Sequence, residues 1–215
     1  MIAKDIGREN KQYRTLGLVG RFKPLHKGGY ALITSACEKA ENIIIGIGSV
    51  NKYNLRNPFT PEEVEGMLHA ALKPEHTNYS IVRIQDFAHI PEYANGKHWA
   101  EGIAKEFGLL DAFISGNSFV EGLLKHFYSI INPCKIIPPE RWIKLCATEV
   151  RVAMASHNDW QSLVPDRVAD YLENQCLVSR FQKEFGLQTL AMLASGKDYR
   201  ASEDGHAEHL HAQEK

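Results

Sequence analysis

Four side chains suited to phosphate, Arg21, Lys23, His26 and Lys27, crowd one short stretch: Gly20-Arg21-Phe22-Lys23-Pro24-Leu25-His26-Lys27-Gly28-Gly29. Guanidinium and ammonium groups neutralise an anion, and an imidazole donates an N–H to it in either protonation state. The flanking glycines suit the same chemistry, because a backbone without side chains can approach a ligand closely. The stretch is neither G-x-x-x-x-G-K-[ST] nor G-x-G-x-x-G, which argues against P-loop kinases, GTPases and dinucleotide-binding dehydrogenases. Taken alone, it fits either a phosphate-binding turn or a sharp turn with a solvated basic surface.

The surrounding elements decide how those groups are held. Leu16, Leu18 and Val19 form an apolar run suited to a buried strand. Pro24 stops a helix from running back through the turn. Gly28 and Gly29 open a helix to about Ala40 that carries Leu32, Ile33, Ala36 and Cys37 on one face. Such a helix aims unpaired N–H groups and its positive dipole end at the turn. Ile43 to Ser49 is almost continuously apolar, as in a central parallel strand covered on both faces. After a polar loop, Val50 to Asn57, Thr60, Pro61 and Glu63 form a capping-box start for a helix through Val64, Met67, Leu68 and Leu72.

Ser80 to Ile84 reads as a third strand, and Asp86 to Lys97 as a loop of polar and aromatic residues. A helix from about His98 to Phe107 places Trp99 with Ile103 and Phe107. Ala112 to Asn117 is a fourth strand, followed by a helix bearing Val120, Leu123 and Leu124. Cys134 to Ile137 reads as a fifth strand. This alternation predicts an α/β fold, a doubly wound parallel sheet, with ligands beyond the carboxyl ends of its strands. Arg21, Ser49, Gly116 and Asn117 fall at those ends. From Ala147 the pattern is helical: Thr148 caps a helix with Glu149, Val150, Arg151 and Met154. Val164-Pro165-Asp166 starts another helix through Val168, Tyr171 and Leu172, and a last helical pattern covers about Leu177 to Phe185, with an extension towards Leu193.

The chain has 215 residues and supports one main domain over 15–194, with a polar leader over 1–14 and a polar tail over 195–215. A net charge of −1 advertises neither nucleic acid nor a membrane surface, so any anion site depends on local charge. No apolar run approaches a membrane span, and the first residues lack a signal's apolar centre. Cys37, Cys134, Cys146 and Cys176 form no CxxC pair and read as reduced thiols of a cytoplasmic protein. His206, His209 and His211 lie in the tail without a completing carboxylate or cysteine cluster, so the tail reads as solvated and no protein-held metal is expected.

The basic stretch resembles the nucleotidyltransferase signature G-x-F-x-P-x-H-x-G-H, matching through Gly28. Three more segments point to one branch. Asn57-Pro58-Phe59-Thr60-Pro61-Glu62-Glu63 is similar to the N-P-F-T-x-x-E segment of archaeal-type nicotinamide mononucleotide adenylyltransferases. Ser115-Gly116-Asn117 resembles their S-G-N turn. Leu145 to Arg151 resembles their I-S-x-T-x-I-R motif, and Trp160 with Leu163-Val164-Pro165 its W-x-x-L-V-P ending.

The resemblance implies that the chain joins the AMP part of ATP to nicotinamide mononucleotide and expels pyrophosphate, with Mg2+ carried on ATP and a homo-oligomeric assembly. It implies catalytic roles for Arg21, His26 and Arg151. ATP would be met by Gly20, Phe22, Lys23, Gly28, Gly29, Ser49, Gly116, Asn117, Cys146 and Thr148. Asp86 and Trp99 would meet the second nucleotide, although Trp99 at helical spacing with Ile103 fits a core residue as well. Trp160 reads as packing.

Three polar positions depart from the pattern. Gly29 replaces the second signature histidine, Cys146 the serine of the later motif, and Val64 a common arginine. A missing preorganised donor costs on the order of a hundred- to a thousandfold in rate. Lys27 could restore part of that charge. Besides the enzyme, the sequence admits a weakened or inactive nucleotide-binding module, or a nucleotidyltransferase using CTP or another acceptor.

Overall fold

The computed structural model describes residues 11–195. The histidines of the tail, His206, His209 and His211, lie outside the described residues, as does most of the leader. Five parallel strands form one sheet in the order β3-β2-β1-β4-β5. They are β1 (Tyr13–Gly20), β2 (Ala40–Ile47), β3 (Tyr79–Arg83), β4 (Ala112–Ile114) and β5 (Ile130–Ile131). The first strand begins at Tyr13, ahead of its apolar run and inside the expected leader. Its early residues pair with β2, Tyr13 opposite Ala40 and Thr15 opposite Asn42. The backbone ladder carries the strand back to Tyr13, whose ring also packs against the larger core.

The central strand β1 lies between β2 and β4, with Leu18 opposite both Ile45 and Ile114. The chain winds outward through β2 and β3, then returns to the other side of β1 for β4 and β5. The crevice at this reversal opens at the carboxyl ends of β1 and β4.

Helices cover both faces of the sheet. On one face, α1 (Lys27–Lys39), α2 (Pro61–Leu72), α5 (Ala147–Ala155), α6 (Asp166–Asn174), α7 (Leu177–Phe181) and α8 (Leu187–Ala194) build the larger core. Leu16, Leu18, Ile33, Ile45, Met67, Val150, Trp160 and Phe181 are buried there, so Trp160 is a packing residue. On the other face, α3 (Lys97–Phe107) and α4 (Ser118–Leu124) bury Ile84, Ile103, Phe107, Phe113 and Leu124. Among the described residues no helix is long and apolar enough to cross a membrane.

Two local expectations change. Residues Pro133–Lys135 form a short 3-10 turn, and the fifth strand is Ile130–Ile131 instead of Cys134 to Ile137. Asn132 accepts the Cys134 N–H at 3.0 Å, and a side chain that caps a turn competes with strand pairing. Similarly, the N-cap of α5 lies two residues before the expected one. Cys146 is its N-cap, with its backbone N–H donating to Glu149 Oε2 at 2.8 Å, and Thr148 lies inside the first turn.

Candidate active site

The sheet delivers Gly20 and Arg21 to its carboxyl edge, where the chain bends through Phe22. The φ of Phe22 is 52°, a left-handed value that costs a non-glycine residue roughly 1–2 kcal/mol. Its ring fills the space over Gly20, where an added Cβ would stand 2.6 Å from Cζ. Glycine at position 20 is therefore required by the ring that follows it. The Lys23–Pro24 peptide is cis. Leu25 is buried, and the turn ends at His26, the N-cap of α1.

His26 has its proton placed by this cap. Its Nδ1 accepts the Gly29 N–H at 3.2 Å, which leaves Nε2 to carry the ring hydrogen. Burial lowers its pKa to about 4, with Glu149 raising it and Arg151 lowering it by smaller amounts. At neutral pH it is a neutral imidazole with one fixed donor.

A cavity of about 430 Å³ opens over this turn. Gly20, Arg21, Phe22, His26, Gly29, Ser49, Asp86, Trp99, Gly116 and Asn117 all line it, so the structure brings together most of the residues that the sequence singled out.

The loop after β2 supplies the next wall. The Ser49 hydroxyl donates to Asp86 Oδ2 at 3.0 Å, Lys52 pairs with the same oxygen at 2.7 Å, and the Ala88 N–H donates to Oδ1 at 3.0 Å. Burial works against the Asp86 carboxylate, but these partners prevail and hold its pKa below the ordinary value. At the end of β4, Asn117 caps α4 by accepting the Phe119 and Val120 N–H groups at 2.9 and 3.2 Å. Trp99 is half-buried: it packs beside the smaller core and also lines the cavity.

Five expected contacts lie elsewhere. Lys23 is fully buried, and its Nζ donates to the Ser49 carbonyl and to Asn57 Oδ1, each at 3.0 Å. Gly28 packs away from the cavity, where an added Cβ would stand 2.8 Å from the Ile143 carbonyl oxygen. Arg151 is 4% exposed and Thr148 3%. The arginine donates from Nη1 to the Lys23 carbonyl at 3.0 Å and from Nη2 to Thr148 Oγ1 at 2.9 Å. It braces the signature turn from behind, while Ala147 reaches the cavity wall. Cys146 is buried beside them. Lys27, the expected substitute for the missing imidazole, lines a separate groove with Tyr30, Arg141 and Arg167. It is on the wrong side of α1 to serve the first cavity.

The structure adds residues that the sequence reading passed over. Lys52 lies in the polar loop at the carboxyl end of β2, a position that was itself a usable signal. Phe87, Tyr93 and His98 form an aromatic group on the wall near Trp99. The Tyr93 and His98 rings stack at 4.3 Å with an 18° tilt.

Comparison with known proteins agrees with this geometry. No family model matches the chain. A nicotinamide-nucleotide adenylyltransferase of Thermococcus sibiricus is 34% identical over 158 residues, 72% of this chain and 81% of that protein. The chain belongs to the nicotinamide-nucleotide adenylyltransferase family. The adenylyltransferase of Methanolobus tindarius is 28% identical over 183 residues, 85% of this chain and 96% of that protein. Among solved structures, a bifunctional NMN adenylyltransferase/ADP ribose pyrophosphatase from Francisella tularensis, complexed with AMP and a manganese ion, shares the fold at a TM-score of 0.65 and 18% identity. The match covers 85% of this chain and 55% of that one, so the chain spans about half the length of the bifunctional protein.

Proposed function

We propose that the chain transfers the AMP part of ATP to nicotinamide mononucleotide, giving NAD and pyrophosphate. The observation that carries this reading is the neutral His26, held with Nε2–H as its donor beside Arg21 in the cavity at the switch point. A phosphate oxygen of the mononucleotide attacks the α-phosphorus of ATP. A new P–O bond forms as the bond to the bridging oxygen breaks, and pyrophosphate leaves with that electron pair. The protein needs to align the two anions and neutralise the charge that grows between them.

In this reading Arg21 and His26 donate to the phosphates, and Lys52 adds charge at the rim. The backbone at Gly116 and the Asn117 amide approach the adenosine. Trp99 and the neighbouring rings receive the flat base of the second nucleotide. Asp86 is the carboxylate on the cavity wall among the described residues, and its oxygens are committed to Lys52, Ser49 and Ala88. That donor set suits magnesium entering with ATP as part of the substrate. Arg151 contributes by fixing the turn through the Lys23 carbonyl, a positioning role in place of direct contact.

Gly29 favours a second reading, a pocket that binds nucleotides with weakened turnover. Purified protein given ATP, magnesium and nicotinamide mononucleotide distinguishes the two through NAD and pyrophosphate formation, with calorimetric binding in parallel. Binding without product would establish the weakened module; neither binding nor product would overturn both. Sedimentation of the same sample tests the homo-oligomer implied by the resemblance.

A further inference from the structure

We propose that Lys23 serves the phosphate subsite from inside the protein, as a sealed positive charge that never touches the ligand and that keeps its proton when a polyphosphate binds. The inference rests on the adenylyl-transfer reading and deepens it. Its basis is a mismatch between the charge of this side chain and the partners it has.

Lys23 is 0% exposed, and both of its hydrogen-bond partners, the Ser49 carbonyl and Asn57 Oδ1, are neutral. Among the described residues no carboxylate forms an ion pair with it. The charged groups facing it from each packed element are mostly cations: Arg21 from the same turn, Lys52 from the loop after β2 and Arg151 from α5. Asp86, from the loop after β3, is the opposing charge, and its oxygens are already bonded to Lys52 and Ser49. His26 in the turn is neutral, and Glu149 on α5 acts on His26.

An ammonium buried among cations is costly, and tying two loops together does not require one. A neutral side chain with two N–H donors could serve the same two acceptors. The charge is therefore the feature to be explained, and an anion in the cavity explains it. Ser49 separates Lys23 from that cavity by one hydrogen bond, and Arg21 and Lys52 stand on the cavity wall itself.

Burial, then Arg21, lowers the Lys23 pKa to about 8. Above that pH the empty protein holds a neutral amine. The amine still has two N–H groups for its two acceptors, so the loops stay tied while the charge disappears. A polyphosphate beside Ser49 favours the charged form and raises the pKa again. By linkage, each unit of that rise is a tenfold loss of affinity once the pH exceeds the raised value.

Calorimetry of magnesium–ATP binding, in buffers of different ionisation heat, reads this directly. At about pH 7 the wild-type protein should take up almost no proton, and at about pH 9 a substantial fraction of one. Affinity should fall about tenfold between the two. Lys23→Arg keeps its charge throughout and should bind without uptake at either pH. Lys23→Met should also show no uptake, with affinity at pH 7 about tenfold weaker. No uptake by the wild type at pH 9, or equal uptake by the variants, would overturn the role of Lys23. Should the variants fail to fold, the wild type decides alone: uptake that grows with pH supports the proposal, and a flat profile overturns it. Absence of ATP binding at pH 7 would instead overturn the nucleotide reading itself, and this proposal with it.

Discussion

Gly29 donates its backbone N–H to Nδ1 of His26 at 3.2 Å, and a Cβ added at Gly29 would stand 3.8 Å from Nε2 of the same ring. A side chain at position 29 therefore leaves the helix directly beside the one imidazole donor of the turn. Position 29 lines the cavity, and the tightest neighbour of such a Cβ is Leu25 Cδ1 at 3.4 Å, an ordinary contact. A Cβ therefore fits at position 29, where the helix borders the cavity. Gly29→His should raise the rate of NAD formation by about ten- to a hundredfold, with ATP affinity changed far less. Unchanged turnover with intact ATP binding would show that the missing imidazole does not limit the rate.

Adjacent glycines should respond in opposite ways to alanine. At Gly28 the new methyl meets the Ile143 carbonyl oxygen at 2.8 Å, a backbone atom that cannot turn aside. Gly28→Ala should cost about 1–3 kcal/mol in a denaturant titration. Gly29→Ala meets no such obstacle and gains helix propensity, so it should be neutral or stabilising by about 0.5–1 kcal/mol. Similar losses from both would contradict the packing described at Gly28.

The titration of His26 should show in stability rather than in the pH dependence of activity near neutrality. An unfolded histidine takes a proton near pH 6.5, while the folded His26 refuses one until about pH 4. Its contribution is complete above about pH 6.5 and is lost progressively as the pH falls towards 4. His26→Gln should flatten that part of the stability curve. In the wild type, kcat/KM should show no His26 limb near pH 6.5, because the imidazole is neutral on both sides of it. A limb near 6.5 that disappears in His26→Gln would refute the assigned proton.

Arg180 clamps the loop that reaches Lys23. Its guanidinium grips both oxygens of Glu63, Nη2 at 2.7 Å from Oε2, and Nη2 also donates to the Pro58 carbonyl at 3.1 Å. Glu63 in turn accepts the Thr60 N–H at 2.9 Å. Arg180→Ala should cost about 1–3 kcal/mol and raise the KM for ATP, and Arg180→Lys should recover only part of the loss because it lacks the fork. Wild-type stability and KM in Arg180→Ala would show that the clamp is incidental.

Much of this arrangement was legible in residue order. The alternation of apolar runs with helical periods gave the parallel sheet, and Thr60-Pro61-Glu62-Glu63 gave a capping box that the structure reproduces in full. What stayed hidden was depth. A basic residue in a phosphate-like turn reads as a ligand contact, and Arg21 does reach the cavity, yet Lys23 two positions later points into the protein. The sharp bend at Phe22 separates them, and its left-handed φ is invisible in the sequence because phenylalanine seldom adopts it. The same limit applied to Arg151: its spacing from Thr148 correctly paired the two side chains, but could not tell that the pair lies behind the turn. Ile130–Ile131 escaped notice because two residues carry no period.

The clamp has a consequence for how the protein is made. Arg180 holds a glutamate 117 positions earlier, and Glu184 takes a hydrogen bond from Tyr53 across 131 positions. Arg151 reaches back 128 positions to the carbonyl of Lys23. The sheet's first strands leave the ribosome early, but the loop and turn beside the cavity have their braces only after these late helices follow. A nascent chain therefore carries an unfinished pocket through most of its synthesis, and nucleotide supplied before Glu184 has emerged should find no site competent to hold it.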